Sequence, residues 1–142
     1  MIYGIGTDIV RVARMQANWE RYGQRFADKI LAPSEHVAFE VDKRPAHFLA
    51  KRFAAKEAMV KALGTGFRDG IKLADIGVTH NAAGKPALIC TGLTLAVMSS
   101  LGISGSHLSL ADEQEYAVAF VILLSQDPRY LTHSLDGRGG VC

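Results

Sequence analysis

Two carboxylates stand where a carboxylate is awkward. Asp8 interrupts the run Ile2-Tyr3-Gly4-Ile5-Gly6-Thr7-Asp8-Ile9-Val10. Its alternation reads as a strand over 2–10, with Tyr3, Ile5, Thr7 and Ile9 on one face and Ile2, Gly4, Gly6, Asp8 and Val10 on the other. Glu57 follows Phe53 by four residues and precedes Val60 by three, which puts it at the margin of an apolar helical stripe. A half-buried carboxylate needs a partner, because an uncompensated charge away from water costs several kcal/mol. Taken singly, each has a nearby cation: Lys61 one turn beyond Glu57, and Arg11 beside Asp8. Taken as a pair they point to a metal. If the strand packs on the helix, the two repel by ~4 kcal/mol at ~4 Å and an effective dielectric of ~20 unless a cation lies between them. One or two carboxylates, with the other positions left to water and phosphate, is how Mg²⁺ is usually held.

The surrounding residues suit a phosphate. Lys61 shares a helix face with Glu57, and Gly64-Thr65-Gly66 follows the helix. Backbone amides with a lysine cradle phosphate oxygens. Gly64 is equally a helix C-cap, and the motif is not a P-loop, whose glycines precede a helix. Charge is unevenly spread. Residues 41–72 hold eight basic groups (Lys43, Arg44, Lys51, Arg52, Lys56, Lys61, Arg68, Lys72) against three acidic ones (Asp42, Glu57, Asp69), while 1–40 are neutral and 73–142 carry three against six. The basic block reads as a docking place for one anionic ligand, or as a solvated helix face.

These residues need a scaffold to bring them together. Val12, Met15, Trp19 and Tyr22 repeat at helical spacing, with Arg14, Asn18, Arg21 and Arg25 on the other side. Pro33-Ser34 starts a second helix, and Pro45 starts a third over 46–63, stopped by Gly64. Strands are expected at 76–80 and 87–91, joined by Asn81-Ala82-Ala83-Gly84-Lys85-Pro86, then a helix over 94–101 and a hairpin of 106–110 with 116–124. The 142 residues, 49% hydrophobic and 21% charged with net charge +2, suit one soluble α+β domain over 1–124 and exclude disordered, collagenous and disulfide-framework classes. Residues 125–142 have no periodicity and read as a loose extension. No apolar run nears the ~20 residues of a membrane span, and the N-terminus lacks a secretory pattern. With only Cys90 and Cys142, a cytoplasmic location and free thiols are expected.

Gly4-Ile5-Gly6-Thr7-Asp8-Ile9-Val10, then Arg52-Phe53-Ala54-Ala55-Lys56-Glu57-Ala58 with Lys61-Ala62-Leu63-Gly64-Thr65-Gly66, then Gly84-Lys85-Pro86, closely resembles the holo-(acyl-carrier-protein) synthase family, the small bacterial type of phosphopantetheinyl transferase. The resemblance runs from Met1 to about Leu124. It implies the phosphopantetheinyl transferase fold, a small antiparallel sheet packed with a long central helix, assembled as a homotrimer with active sites between subunits. It also implies transfer of 4′-phosphopantetheine from coenzyme A to a serine of apo-acyl carrier protein, in fatty acid biosynthesis, releasing adenosine 3′,5′-bisphosphate. The family's Mg²⁺ ligands correspond to Asp8 and Glu57, the pair already singled out. With Lys61 on the phosphates, these are the catalytic candidates. The serine proton would pass to a water positioned by Glu57, or to Asp8 through water.

Coenzyme A contacts are expected from Lys61, Gly64, Thr65 and Gly66 near the phosphates and from Gly84, Lys85 and Pro86 near the nucleotide. Arg14, Arg21 and Arg25 would meet the acidic carrier protein. One departure is visible: some relatives carry His-x-Ser-x-(Ser/Thr)-His, where this chain has His107-Leu108-Ser109-Leu110-Ala111-Asp112. Asp112 is assigned no role, and His107 reads as partly buried and structural. The rival functions are a Mg²⁺-dependent phosphohydrolase on coenzyme A or a nucleotide, a non-catalytic nucleotide or nucleic-acid binder, and a purely structural trimer. A nucleic-acid partner is disfavoured, because few aromatics interleave with the basic block and Asp8 and Glu57 would repel a polyanion.

Overall fold

The computed structural model describes residues 1–68 and 70–126. Strand β1 (Ile2–Arg11) leads into α1 (Val12–Tyr22), α2 (Gln24–Ile30), a 3-10 turn at Pro33–Glu35, α3 (His36–Val41) and the long α4 (Pro45–Leu63). A second 3-10 turn at Leu73–Asp75 precedes β2 (Ile76–His80), β3 (Pro86–Cys90), α5 (Gly92–Ser100), β4 (Ile103–Asp112) and β5 (Tyr116–Ser125). The strands form two antiparallel sheets, one ordered β1-β5-β4 and the other β2-β3. The α+β class is as expected.

Helix α4 is the axle of the fold. Phe48, Leu49, Ala50, Ala54, Ala55, Ala58, Met59, Val60 and Leu63 are all buried. A helix apolar on every side belongs inside, and α4 packs on both β1 and β5. Its seat on β1 is cut from glycine. A Cβ at Gly4 would lie 2.1 Å from the Ala62 carbonyl oxygen, and one at Gly6 would lie 1.9 Å from that of Ala58. The spacings match: four helical residues rise about 6 Å and two strand residues about 6.6 Å, so the glycine pair and the alanine pair stay in step. The glycine face of β1, bare of side chains at two positions, is what lets α4 come this close.

Gly6→Ala forces a methyl into a backbone carbonyl, where no side chain is able to yield. We expect it to cost about 3 kcal/mol, the upper end of the overpacking range, measured as a lower denaturant midpoint with unchanged m-value.

The opposite face of β1 is left uncovered. Ile5 is 59% and Ile9 63% exposed, and Val118 and Phe120 of β5, which pair with Ile9 and Thr7, are exposed too. An apolar sheet face open to water marks a contact surface.

The first helix differs from expectation. Val12 and Met15 are buried and Trp19 sits edge-on to Phe39, but Tyr22 is exposed. The chain breaks at Gly23, at φ +58°, whose N–H caps the Trp19 carbonyl, and α2 begins. Glycine allows this because only it enters that region without a Cβ penalty. Arg25 thus belongs to α2 and does not continue the α1 stripe. Ser125, expected at the head of the extension, instead ends β5 and is buried. Of the rest of that expected extension, Gln126 is exposed and 127–142 lie outside the described residues.

Candidate active site

The glycine seat sets the geometry of the acidic pair. Asp8 follows Gly6 by two residues on the same strand face, so it faces the turn of α4 that carries Glu57. Lys61 leans toward the helix N-terminus, the direction helical side chains take. Its Nζ donates to Asp8 Oδ1 at 2.9 Å and to the Thr7 carbonyl at 3.1 Å. Lys61 therefore pairs with Asp8, not with Glu57, and Arg11 turns away to donate to the Tyr116 hydroxyl at 3.0 Å. Both local pairings considered from the sequence give way to one bridge between helix and strand.

Glu57 is partly buried, and among the described residues its carboxylate accepts no hydrogen bond. Burial holds its pKa above the ordinary carboxylate range, and the neighbouring Asp8 charge pushes the same way; Lys61 and Arg14 oppose them. Two carboxylates that repel each other, one lacking a donor, fit a hard divalent cation. Among the described residues no third acidic, histidine or cysteine ligand joins them. That donor set suits Mg²⁺, which keeps water and substrate phosphate in its remaining positions, better than Zn²⁺, which takes at least three protein ligands, mostly histidine or cysteine.

The Gly64-Thr65-Gly66 amides are less available than expected. Gly64, at φ +80°, donates its N–H to the Val60 and Lys61 carbonyls, and the Gly66 N–H reaches back to Val60 at 3.4 Å. Two of the three amides are thus taken by the C-cap of α4. A helix C-terminus carries partial negative charge, so this end repels an anion unless cations offset it. Lys61 in the last turn is one such cation.

Gly84-Lys85-Pro86 forms the β2–β3 turn, with Gly84 at φ +85° and the Asn81 side chain accepting from the Ala83 and Lys85 amides. This hairpin packs beside the N-terminal half of α4, where Arg52 donates to the Val78 carbonyl. Arg52 and Lys61 are separated by about 13 Å of helix at 1.5 Å per residue. Within one chain, the motif expected at the nucleotide is not brought to the acidic pair.

Of the arginines, Arg14 lies nearest the chemistry. It stacks over the Phe53 ring at 5.7 Å, and its charge acts on Glu57. Arg21 stacks on Tyr22. Although Arg25 sits on another helix, it lines one cavity of about 400 Å³ with Asn18, Tyr22, Phe26 and Lys29.

The basic block contains residues whose role the sequence reading missed. Arg52 and Lys56 point inward and share buried Glu35. Glu35 Oε2 accepts from Arg52 Nη1 at 2.8 Å and from the Val78 amide at 3.1 Å; Oε1 accepts from Lys56 Nζ and from the Ala32 amide at 2.7 Å. These two cations are fasteners of the core, not part of an open anion site or a solvated face. A signal was available: Phe48, Arg52, Lys56 and Val60 recur every four residues, so the cations lie within an apolar stripe.

His107 is exposed on the outer face of β4, contrary to the buried role expected, because it alternates with buried Leu108. Asp112 lies 4.0 Å from Arg44, at the head of α4. Cys90 is a free thiol against Met59, pushed up to about 11 by burial and then by Asp75.

The sequence and the fold both have counterparts among known proteins. A holo-[acyl-carrier-protein] synthase of Nitrosococcus oceani is 56% identical over 126 residues, 89% of this chain and 82% of that protein. The crystal structure of holo-[acyl-carrier-protein] synthase from Neisseria meningitidis superposes with a TM-score of 0.84 at 43% identity, covering 88% of this chain and all of that one. A Bacillus anthracis holo-(acyl-carrier-protein) synthase in complex with CoA (3′,5′-ADP) matches at 0.73 and 37% identity, over 89% of this chain and 99% of that one. Residues 4–121 match the 4′-phosphopantetheinyl transferase superfamily from before Asp8 to beyond the last strand's centre, so the chain belongs to that superfamily.

Proposed function

We propose that this protein transfers 4′-phosphopantetheine from coenzyme A to a serine of apo-acyl carrier protein, giving holo-carrier protein and adenosine 3′,5′-bisphosphate. The observation that carries the chemistry is the meeting of Asp8, Glu57 and Lys61 where β1 crosses α4. Asp8 and Glu57 would hold Mg²⁺, which when bound supplies positive charge to the pyrophosphate. Lys61 is exposed enough to exchange Asp8 for a phosphate oxygen and offset the charge that develops there. The serine oxygen forms a bond to the β-phosphorus as the bond to the departing bisphosphate breaks. The serine proton leaves through a water positioned by Glu57, the carboxylate without a donor of its own, or through water to Asp8.

The exposed Ile5, Ile9, Val118 and Phe120 face favours self-association, in the homotrimer that the resemblance implies. A neighbouring copy would also bring a Gly84-Lys85-Pro86 turn toward the acidic pair, uniting coenzyme A contacts (Lys61, Gly64, Thr65 and Gly66 on one side) that one chain keeps apart. Arg14, Arg21 and Arg25 are the proposed carrier-docking residues, and a cytoplasmic location suits such partners. The test is the intact mass of an apo-acyl carrier protein after incubation with this protein, coenzyme A and Mg²⁺. Gain of one phosphopantetheine that EDTA prevents is the expected result; no gain on a verified carrier overturns the transfer.

Charge reversal separates docking from chemistry. Arg14, and not Arg21, is among the charges that act on Glu57. Arg21→Glu should raise KM for the carrier by about tenfold with kcat unchanged, since like charges across a docking surface are costly. Arg14→Glu should change both constants. A phosphohydrolase would be indifferent to either at the docking step.

A further inference from the structure

Among the described residues, three ionisable side chains lie in the core and take no part in the transfer as described: Glu35, Arg52 and Lys56. Lys56 is the most enclosed, at 0% exposure. Its ammonium donates to three acceptors in three separate segments: the Ile30 carbonyl at the end of α2, Glu35 Oε1 in the first 3-10 turn, and the Leu73 carbonyl at 3.2 Å in the second. An ammonium has three protons, and here each is claimed by a different piece of chain. Burying it is costly, and its pKa is lowered by that burial despite Glu35. Holding the segments together does not by itself require the charge, since an apolar chain would fill the same space.

The position on α4 supplies a reason. Lys56 immediately precedes Glu57, and successive helical residues point about 100° apart, so a tie at 56 fixes the rotation at 57. On another face, the next residue but one, Ala58, is seated on Gly6. The turn that carries Glu57 is therefore held on two sides within three residues, by a carbonyl-on-glycine contact and by the three-way ammonium. The bond to Leu73 also anchors the far end of the stretch that follows Gly64-Thr65-Gly66. A small rotation of α4 would move the Glu57 carboxylate relative to Asp8, and misplacement of about 1 Å costs on the order of a hundredfold in rate.

We propose that Lys56 is a positioning residue for the transfer: its buried ammonium locks the turn of α4 that presents Glu57 to Asp8, and ties the segment after α4 to the same point. This rests on the proposed transfer reaction. The test compares wild type, Lys56→Gln and Lys56→Met for holo-carrier formation by intact mass, with kcat and KM measured well below each melting temperature. In Lys56→Met, Glu35 keeps Arg52, Val78 and Ala32 as donors, so the fold is retained. The expected result is a kcat lower by about tenfold or more with KM for the carrier unchanged, and an intermediate kcat for Lys56→Gln, whose amide keeps some of the donors. Wild-type kcat in the folded variants, even with a lower melting temperature, overturns the positioning role alone. A Gln variant no faster than the Met variant does the same. A wild-type protein that fails to modify a verified carrier overturns the transfer reading and this one with it.

Discussion

Glu57→Gln lowers phosphopantetheine transfer by about 10²–10³-fold, the loss typical of removing one preorganised electrostatic group, and leaves the metal-free protein no less stable than wild type. The two outcomes have one cause. Glu57 is held above the ordinary carboxylate range by burial first and by Asp8 second. A carboxyl raised in the folded state contributes stability that is present below its unfolded value and is lost as pH rises through the raised value. Above that raised value the contribution is gone and the repulsion is felt in full, so there a neutral amide is tolerated at least as well. Thermal melts without divalent metal should show Glu57→Gln at or above the wild-type midpoint. Added Mg²⁺ should then raise the wild-type midpoint and leave the variant unmoved, because only binding to the folded state shifts the transition. A variant that melts clearly lower without metal, or that still responds to Mg²⁺, would show that Glu57 is a structural residue.

Glu35→Gln should be the most destabilising of the core substitutions. It removes the carboxylate that Arg52 and Lys56 share and strands both cations. Breaking a buried pair by deleting one partner costs about 3–5 kcal/mol. For a chain of this length that lowers the melting temperature by roughly 10–20 °C. Replacing all three, as Glu35→Leu with Arg52→Met and Lys56→Met, removes the stranded charges as well and should recover most of the loss, since well-packed apolar substitutes for buried ion groups are often neutral or better. Calorimetry of both variants decides the point: a triple variant as unstable as Glu35→Gln would mean that shape, not charge, holds this part of the core. The triple variant should also be slow in transfer if Lys56 positions Glu57.

The acidic pair was legible from residue order because each member broke a local pattern, Asp8 an apolar strand and Glu57 the edge of an apolar helix. Gly4 and Gly6 leave one face of β1 bare at two alternate positions, a pattern that admits a close backbone approach, and glycine-to-helix contact is what the packing makes of it. Elements with strong periodicity followed: α4, its glycine stop, and the hairpins lie within a few residues of expectation. What local pattern did not contain was the choice among partners at equal sequence distance. Lys61 is one turn from Glu57, yet it bonds to Asp8, because the alanine-on-glycine packing brings β1 within reach of its ammonium. The same holds for Arg52 and Lys56, which a count of charges assigns to the surface and which Glu35, 17 and 21 residues away, draws into the core. The break at Gly23 depends on a positive φ that a helical pattern running through it conceals. Periodicity reports which face of an element is apolar; which charges meet there is a property of chain segments far apart in sequence, and packing alone sets it.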